Sequence, residues 1–190
     1  VGLVIAGTLV YSFVFYNPYP NDKIIFNVLG QKTAHLTDYD YEDLATEDYM
    51  LFGFDPTPMG VPSDILFQGY FLCTPKASDG TLLTNQRAIF SQFNNYQNQN
   101  RRVYGLVSET DTLLIESNVE EVNRGLNNSD DVWSVINDVD VKFYKFEKDD
   151  LDPTLFAHMI LNGHFWRIEG HHLTEKEFVH IIRSTILTYQ

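Results

Sequence analysis

Short apolar runs rich in β-branched and aromatic residues recur along this chain, separated by longer stretches with helical spacing. Residues 9–16 (LVYSFVFY), 49–54 (YMLFGF) and 101–108 (RRVYGLVS) are near-continuous runs of this kind. Bounded by turn residues, they read as strands covered on both faces. Residues 139–146 (VDVKFYKF) alternate, as a half-exposed strand does, and residues 33–37 and 164–168 (HFWRI) add two short strands.

The intervening stretches read as helices. Ile24, Ile25, Val28 and Leu29 fall on one helical face, with Gly30 as a stop, and Ser63 is placed to cap a helix through Ile65, Leu66 and Phe67. Ile89, Phe93 and Tyr96 recur at i, i+4 and i+7, which predicts a helix over residues 84–96. Ile115, Val119, Val122 and Leu126 form an apolar stripe with Glu116, Glu120 and Glu121 facing outward. Asp152 and Pro153 open a further helix that Gly163 ends, and Thr174 with Glu177 forms a capping box before Phe178, Ile181, Ile182 and Thr185. Residues 38–48 (DYDYEDLATED) read as a solvated loop or first helical turn, and residues 55–62 (DPTPMGVP) as a turn-rich loop.

Strands alternating with helices imply crossovers and a parallel sheet. The expected fold is therefore α/β: a three-layer sandwich with a largely parallel five-stranded sheet over residues 1–151. Residues 152–190 form a C-terminal helical extension packed on the same domain. A length of 190 residues suits one such unit. Ligands of such sheets bind beyond the carboxyl ends of strands, which singles out residues 17–21, 55–61 and 108–112.

Those loops and their flanking strands resemble the flavodoxin family, in particular its small branch that activates ribonucleotide reductase. The resemblance rests on LVYSFVFY entering the first loop, TEDYMLFGFDPTPMGVPSDIL, RRVYGLVSETD and VKFYKFEKDDLD, and spans about residues 9–155. It implies a flavodoxin-like sandwich and FMN as the cofactor to test. Asn17 and Asn21 would meet the phosphate, Thr57, Met59 and Gly60 would line the flavin ring, and Tyr49 or Tyr104 would stack on it. Ser108, Thr110 and Asp111 stand in the third loop. The phosphate loop departs from the family: YNPYPND carries two prolines, which lack N–H donors, and the like-charged Asp22.

A net charge of −13 repels phosphate backbones, so nucleic acid is excluded as a general partner. Cys73 is the one cysteine, which precludes an internal disulfide and fits a cytoplasmic location and a buried, inert thiol. Residues 1–16 are apolar but shorter than the roughly 20 residues of a membrane helix. They read as a buried strand with a leading segment, with membrane contact only if they end an anchor. His158, His164, His171, His172 and His180 lack metal-ligand spacing, and the acidic residues 38–48 lack the glycine of a calcium loop. Phosphate-binding and nucleophile-elbow motifs are absent, and no catalytic residue is assigned. Tyr39, Tyr41, Phe165 and Trp166 read either as a docking surface or as core at the sheet ends.

Two functions follow. The first is a cofactor-free binding or structural subunit of a larger protein assembly. The alternative is an FMN-binding electron-transfer protein.

Overall fold

The computed structural model of the chain describes residues 24–29, 39–44, 53, 56–75, 88–98, 100–109, 132–146 and 154–190. These residues form nine strands and one helix. The strands are β1 (Phe26–Leu29), β2 (Tyr39–Leu44), β3 (Leu66–Pro75), β4 (Ala88–Asn94), β5 (Arg102–Glu109), β6 (Ser134–Ile136), β7 (Val139–Phe146), β8 (Thr154–Leu161) and β9 (His164–His171). The helix, α1, covers Glu175–Tyr189.

All nine strands belong to one sheet, in the order β1-β7-β8-β9-β5-β4-β3-β2, with β6 beside β7. Only β1 and β7 pair in parallel among the described strands, and every other pair is antiparallel. This overturns the flavodoxin-like sandwich, its largely parallel five-stranded sheet, and the flavodoxin and flavoprotein reading that depended on them. Among the described residues, β6–β7 and β8–β9 are hairpins of adjacent antiparallel strands.

The corrections share a physical cause. Strand β4 is buried at Ala88, Ile89, Phe90, Ser91 and Phe93, so apolar residues occupy both of its faces. A strand covered on both sides loses its period of two, and Ile89, Phe93 and Tyr96 then imitate a helical stripe. Strand β8 is the same case: Leu155, Ala157, Met159 and Leu161 face one side of the sheet, while Phe156 is buried on the other. Its end is a two-residue turn, Asn162–Gly163, with φ of 51° and 78°, so Gly163 closes a hairpin rather than a helix. Asn137 and Asp138, at 49° and 62°, turn the β6–β7 hairpin in the same way.

Three more expected elements change. Residues 26–29 form β1 rather than a helix, residues 39–44 form β2 rather than a solvated loop, and Leu66 and Phe67 open β3 rather than a helix. Strands β5 and β7 and helix α1 lie where expected, and the strand begun at His164 extends to His171. The predicted strands at 9–16 and 33–37, the helix through 115–126 and most of the strand at 49–54 lie outside the described residues. Among the described residues, no helix is long and apolar enough to cross a membrane.

Asn27 holds the edge where β1 and β6 both meet β7. Its amide nitrogen donates to the carbonyls of Val132 and Phe143 at 3.0 and 2.9 Å, and its oxygen accepts from Val132 N–H at 2.9 Å. One side chain thus satisfies backbone groups that sheet pairing leaves open at the junction of two strands.

The main core lies between the sheet and α1. Phe178, Ile181, Ile182 and Ile186 are fully buried and recur at helical spacing, so α1 turns one stripe onto Val103, Val107, Val141, Phe143, Leu155 and Ile168. Gly170 in β9 makes room for this contact, since a Cβ there would lie 2.8 Å from Phe178 Cδ2. Residues 56–60 brace the far side of α1: Met59 N–H donates to Thr185 Oγ1 at 2.9 Å, and Tyr189 Oη donates to the Thr57 carbonyl at 3.1 Å.

The start of α1 is tied to the β4–β5 turn by charge. Thr174 Oγ1 accepts from Glu177 N–H at 3.2 Å, and Glu177 in turn accepts from Thr174 N–H at 2.9 Å, completing the capping box. Arg101 reaches Glu177, Asp64 and the His172 carbonyl at 2.5, 3.0 and 3.0 Å. The hydrogen bond from Arg101 holds the Glu177 carboxyl at about 2, against the opposing effect of burial. A folded pKa depressed below the unfolded value adds stability that is present above pH ~4.5 and lost as pH falls toward 2. Glu177→Gln is expected to cost about 1–2 kcal/mol at pH 7, a value discounted for solvent exposure, and nothing at pH 2. Urea melts of both proteins at the two pH values measure this difference.

Candidate functional site

The sheet face opposite α1 carries the polar chemistry. Strand β9 places Arg167, Glu169 and His171 on this face by strict alternation, while Trp166, Ile168 and Gly170 point toward α1. The Glu169 carboxylate lies between its neighbours, accepting from Arg167 Nη2 at 3.1 Å and from His171 Nε2 at 2.6 Å. With Nε2 donating, His171 Nδ1 stands 3.4 Å from Thr154 Oγ1. Burial would raise the Glu169 carboxyl, but the hydrogen bond from His171 and the charge of Arg167 outweigh it and hold it below the ordinary value. The Arg167 guanidinium also sits over the Phe156 ring, 5.1 Å from its centroid.

Cross-strand pairing arranges this face in two neighbouring rows. In the first, Lys142 is followed by His158, Arg167 and Leu106, from β7 inward to β5. Lys142 Nζ lies 4.6 Å from the Trp133 ring centroid. In the second, Val135 pairs with Asp140, and Ile160, Phe165 and Ser108 continue the line across β8, β9 and β5.

The rows differ in character from end to end. Toward the β6 side, across β6 to β8, Trp133, Val135 and Ile160 are 53%, 51% and 53% exposed, so large apolar side chains face solvent there. At the β5 end, His158 Nε2, Arg167 Nε and Ser108 Oγ are buried and have no hydrogen-bond partner. Buried polar atoms in folded proteins are nearly always satisfied, so three on adjacent strands of one face mark this end as unusual. Burial, followed by the charges of Arg167 and Lys142, pushes the His158 imidazole down to about 3. His158 is therefore neutral at pH 7, packed between the rings of Tyr144 and Phe165.

The residues assigned to flavin binding do not gather here. Thr57, Met59 and Gly60 lie against α1, where Thr57 Oγ1 bonds Tyr70 Oη at 2.5 Å and a Cβ on Gly60 would strike Ser184. Ser108 is buried on the opposite sheet face, and Tyr104 stands beside His171 on that same face. Asn17, Asn21, Tyr49, Thr110 and Asp111 lie outside the described residues. Of the aromatics weighed for docking, Trp166 is core, stacked on Tyr189 at 5.2 Å, and Phe165 lies half-buried in the second row. Among the described residues, no group of three His, Cys, Asp or Glu side chains is placed to hold a metal ion. Cys73 is fully buried.

Sequence reading missed Arg167, Glu169 and His158 as site residues. The alternation of Arg167 and Glu169 with Trp166 and Ile168 is visible, but alternating charges ordinarily mean a solvated face. Only the pairing of β9 with β5 and β8 buries them. No protein-family model, curated protein or solved structure matches this chain.

Proposed function

We propose that this chain is a cofactor-free protein-binding module of a larger assembly, docking through the sheet face opposite α1. The observation that carries the reading is the set formed by Trp133, Val135 and Ile160, three large apolar side chains each about half exposed on one sheet face. Exposed tryptophan beside aliphatic side chains is the composition of an interface centre rather than of a solvated surface. The separation of Thr57, Met59 and Gly60 from Ser108, on opposite sides of the sheet, supports a module without a flavin. A net charge of −13 supports a protein rather than a nucleic acid as partner, and the presence of one cysteine in the sequence supports the cytoplasm as its location.

The partner meets Trp133 on this face, so it presents an apolar side chain there. Replacing Trp133 with Ala is expected to weaken the complex at least tenfold while leaving the melting temperature within a few degrees, because the side chain is half exposed. A photo-crosslinking residue at position 135 should trap the partner, and one at the exposed Leu187 on α1 should not. Equal trapping at both positions would sink the reading.

A further inference from the structure

The backbone along the outer side of β6 decides what form a partner takes there. Asn137 and Asp138, both at positive φ, make a two-residue turn, which sets Ile136 opposite Val139 as a hydrogen-bonded pair. Bonded and unbonded pairs alternate along an antiparallel ladder. Ser134 with Val141 is therefore the next bonded pair, and Val135 with Asp140 is the unbonded one between them. The N–H and C=O of Val135 point away from β7. Val132 carries the same alternation further: its N–H and C=O both bond the Asn27 side chain, whose amide nitrogen also donates to the Phe143 carbonyl of β7. Its peptide groups thus point inward, and those of Trp133, between Val132 and Ser134, point outward with those of Val135. Among the described residues, β6 pairs with no strand but β7. Outward N–H and C=O groups on an extended segment are a template for another strand, and here the half-exposed side chains of Trp133 and Val135 accompany them.

Resting on the docking reading above, we infer that the partner adds an extended segment to β6 as an antiparallel strand, with apolar side chains opposite Trp133 and Val135 and a lysine or arginine beside Asp138 and Asp140. Open backbone groups on a strand edge select an extended partner, because a helix has already paired its own. Antiparallel pairing joins both groups of Val135 to one residue of the incoming strand and is the slightly more stable arrangement. That residue's side chain lies on the face of Val135, where an apolar pair is favourable. Charge sets the direction. Asp138 and Asp140 are exposed at the turn end, whereas Lys142 lies over the Trp133 ring at the other, 4.6 Å from its centroid. A cation complements the turn end and repels the Trp133 end. A second copy of this chain would bring the same carboxylates and a net charge of −13 to the contact, so the complement is a basic segment of a different protein.

The test is an NMR titration of the isotope-labelled full chain with the capped peptide Thr-Lys-Thr-Val-Thr-Val-Thr, whose lysine falls at the turn end and whose valines fall opposite Val135 and Trp133. The Val135 and Trp133 amide protons are expected to shift, with NOEs from Val135 to the peptide's central valine. Methylating the nitrogen of that valine removes the donor aimed at the Val135 carbonyl and should weaken binding at least tenfold. Glutamate in place of the peptide's lysine should weaken it at least fivefold at low salt, with the gap closing at high salt. Val135→Pro removes only an N–H that faces away from β7, a change edge strands accept, and should weaken the lysine peptide at least tenfold. If the proline variant does not fold, the methylated peptide still decides. Equal binding of methylated and unmethylated peptides, or no Val135 shift with the lysine peptide, overturns strand addition. Equal binding of the lysine and glutamate peptides overturns the basic segment, as does a dimer of the chain held by β6 in sedimentation. Failure of the docking reading shows separately, as an intact complex in the Trp133→Ala protein.

Discussion

Phe178→Ala is expected to cost about 3–5 kcal/mol, the range for emptying a fully buried aromatic site. Phe178 is 0% exposed, meets Phe143 edge-on at a centroid distance of 6.3 Å, and sits over Gly170. The hole would open between α1 and the centre of the sheet, where Gly170 has no side chain to fill it. Surrounding Ile181, Ile182, Val141 and Leu155 belong to rigid elements and close such a gap only in part. Domains of this size have about 5–15 kcal/mol in total, so the variant should approach the unfolding threshold at 25 °C. Leu187→Ala, on the exposed side of the same helix, is the control and should stay within about 0.5 kcal/mol. Guanidinium melts of the two variants give the comparison, and similar midpoints would place α1 off the sheet.

Acid should destabilise the protein well before its carboxylates titrate. His158 has a folded pKa of about 3 against an ordinary 6.5, so between those values the unfolded chain binds a proton that the folded chain refuses. Stability is therefore complete above pH ~6.5 and falls as pH drops toward 3, by about 1.4 kcal/mol per unit. Between pH 6.5 and 5 this amounts to about 2 kcal/mol. Glu177 is lost only below pH ~4.5 and does not contribute in that interval. Replacing His158 with Phe should flatten the slope, because Tyr144 and Phe165 already offer ring neighbours and the unpartnered Nε2 disappears. Urea midpoints measured across the interval test this, and an unchanged slope in the variant would assign the effect elsewhere.

The parts of the fold that were legible in the sequence have strong local signals. Helix α1 has a complete capping box and one apolar stripe, and β5 and β7 have β-branched and aromatic runs between turns. The parts that were illegible are strands packed on both faces. In β4 and β8 the residues facing away from α1 include the buried Phe90 and Phe156, so apolar residues crowd together and mimic helical spacing. The hairpin signal Asn162–Gly163, between TLFAHMIL and HFWRIEGH, was available and outweighs a proline near a helix start. Reading it would have joined β8 to β9 and removed the crossover that suggested a parallel sheet.

The candidate site was less legible for a different reason. Trp133, His158 and Arg167 are separated by 25 and 9 positions in the chain, and only the sheet order makes them neighbours. Ser108 was singled out for a flavin loop and proves to be a buried residue of β5, beside Phe165. Its neighbours, not its local sequence, decide what its hydroxyl can do.

Core and site alike depend on the antiparallel pairing of β5 with β9, which a parallel α/β sheet would not contain. Cross-strand backbone NOEs in the labelled protein test that pairing directly. The structure predicts contacts joining Val103 to Gly170, Gly105 to Ile168 and Val107 to Trp166, running in opposite directions along the two strands. Parallel contacts along these strands, or helical shifts over residues 154–161, would contradict the fold and with it the docking face.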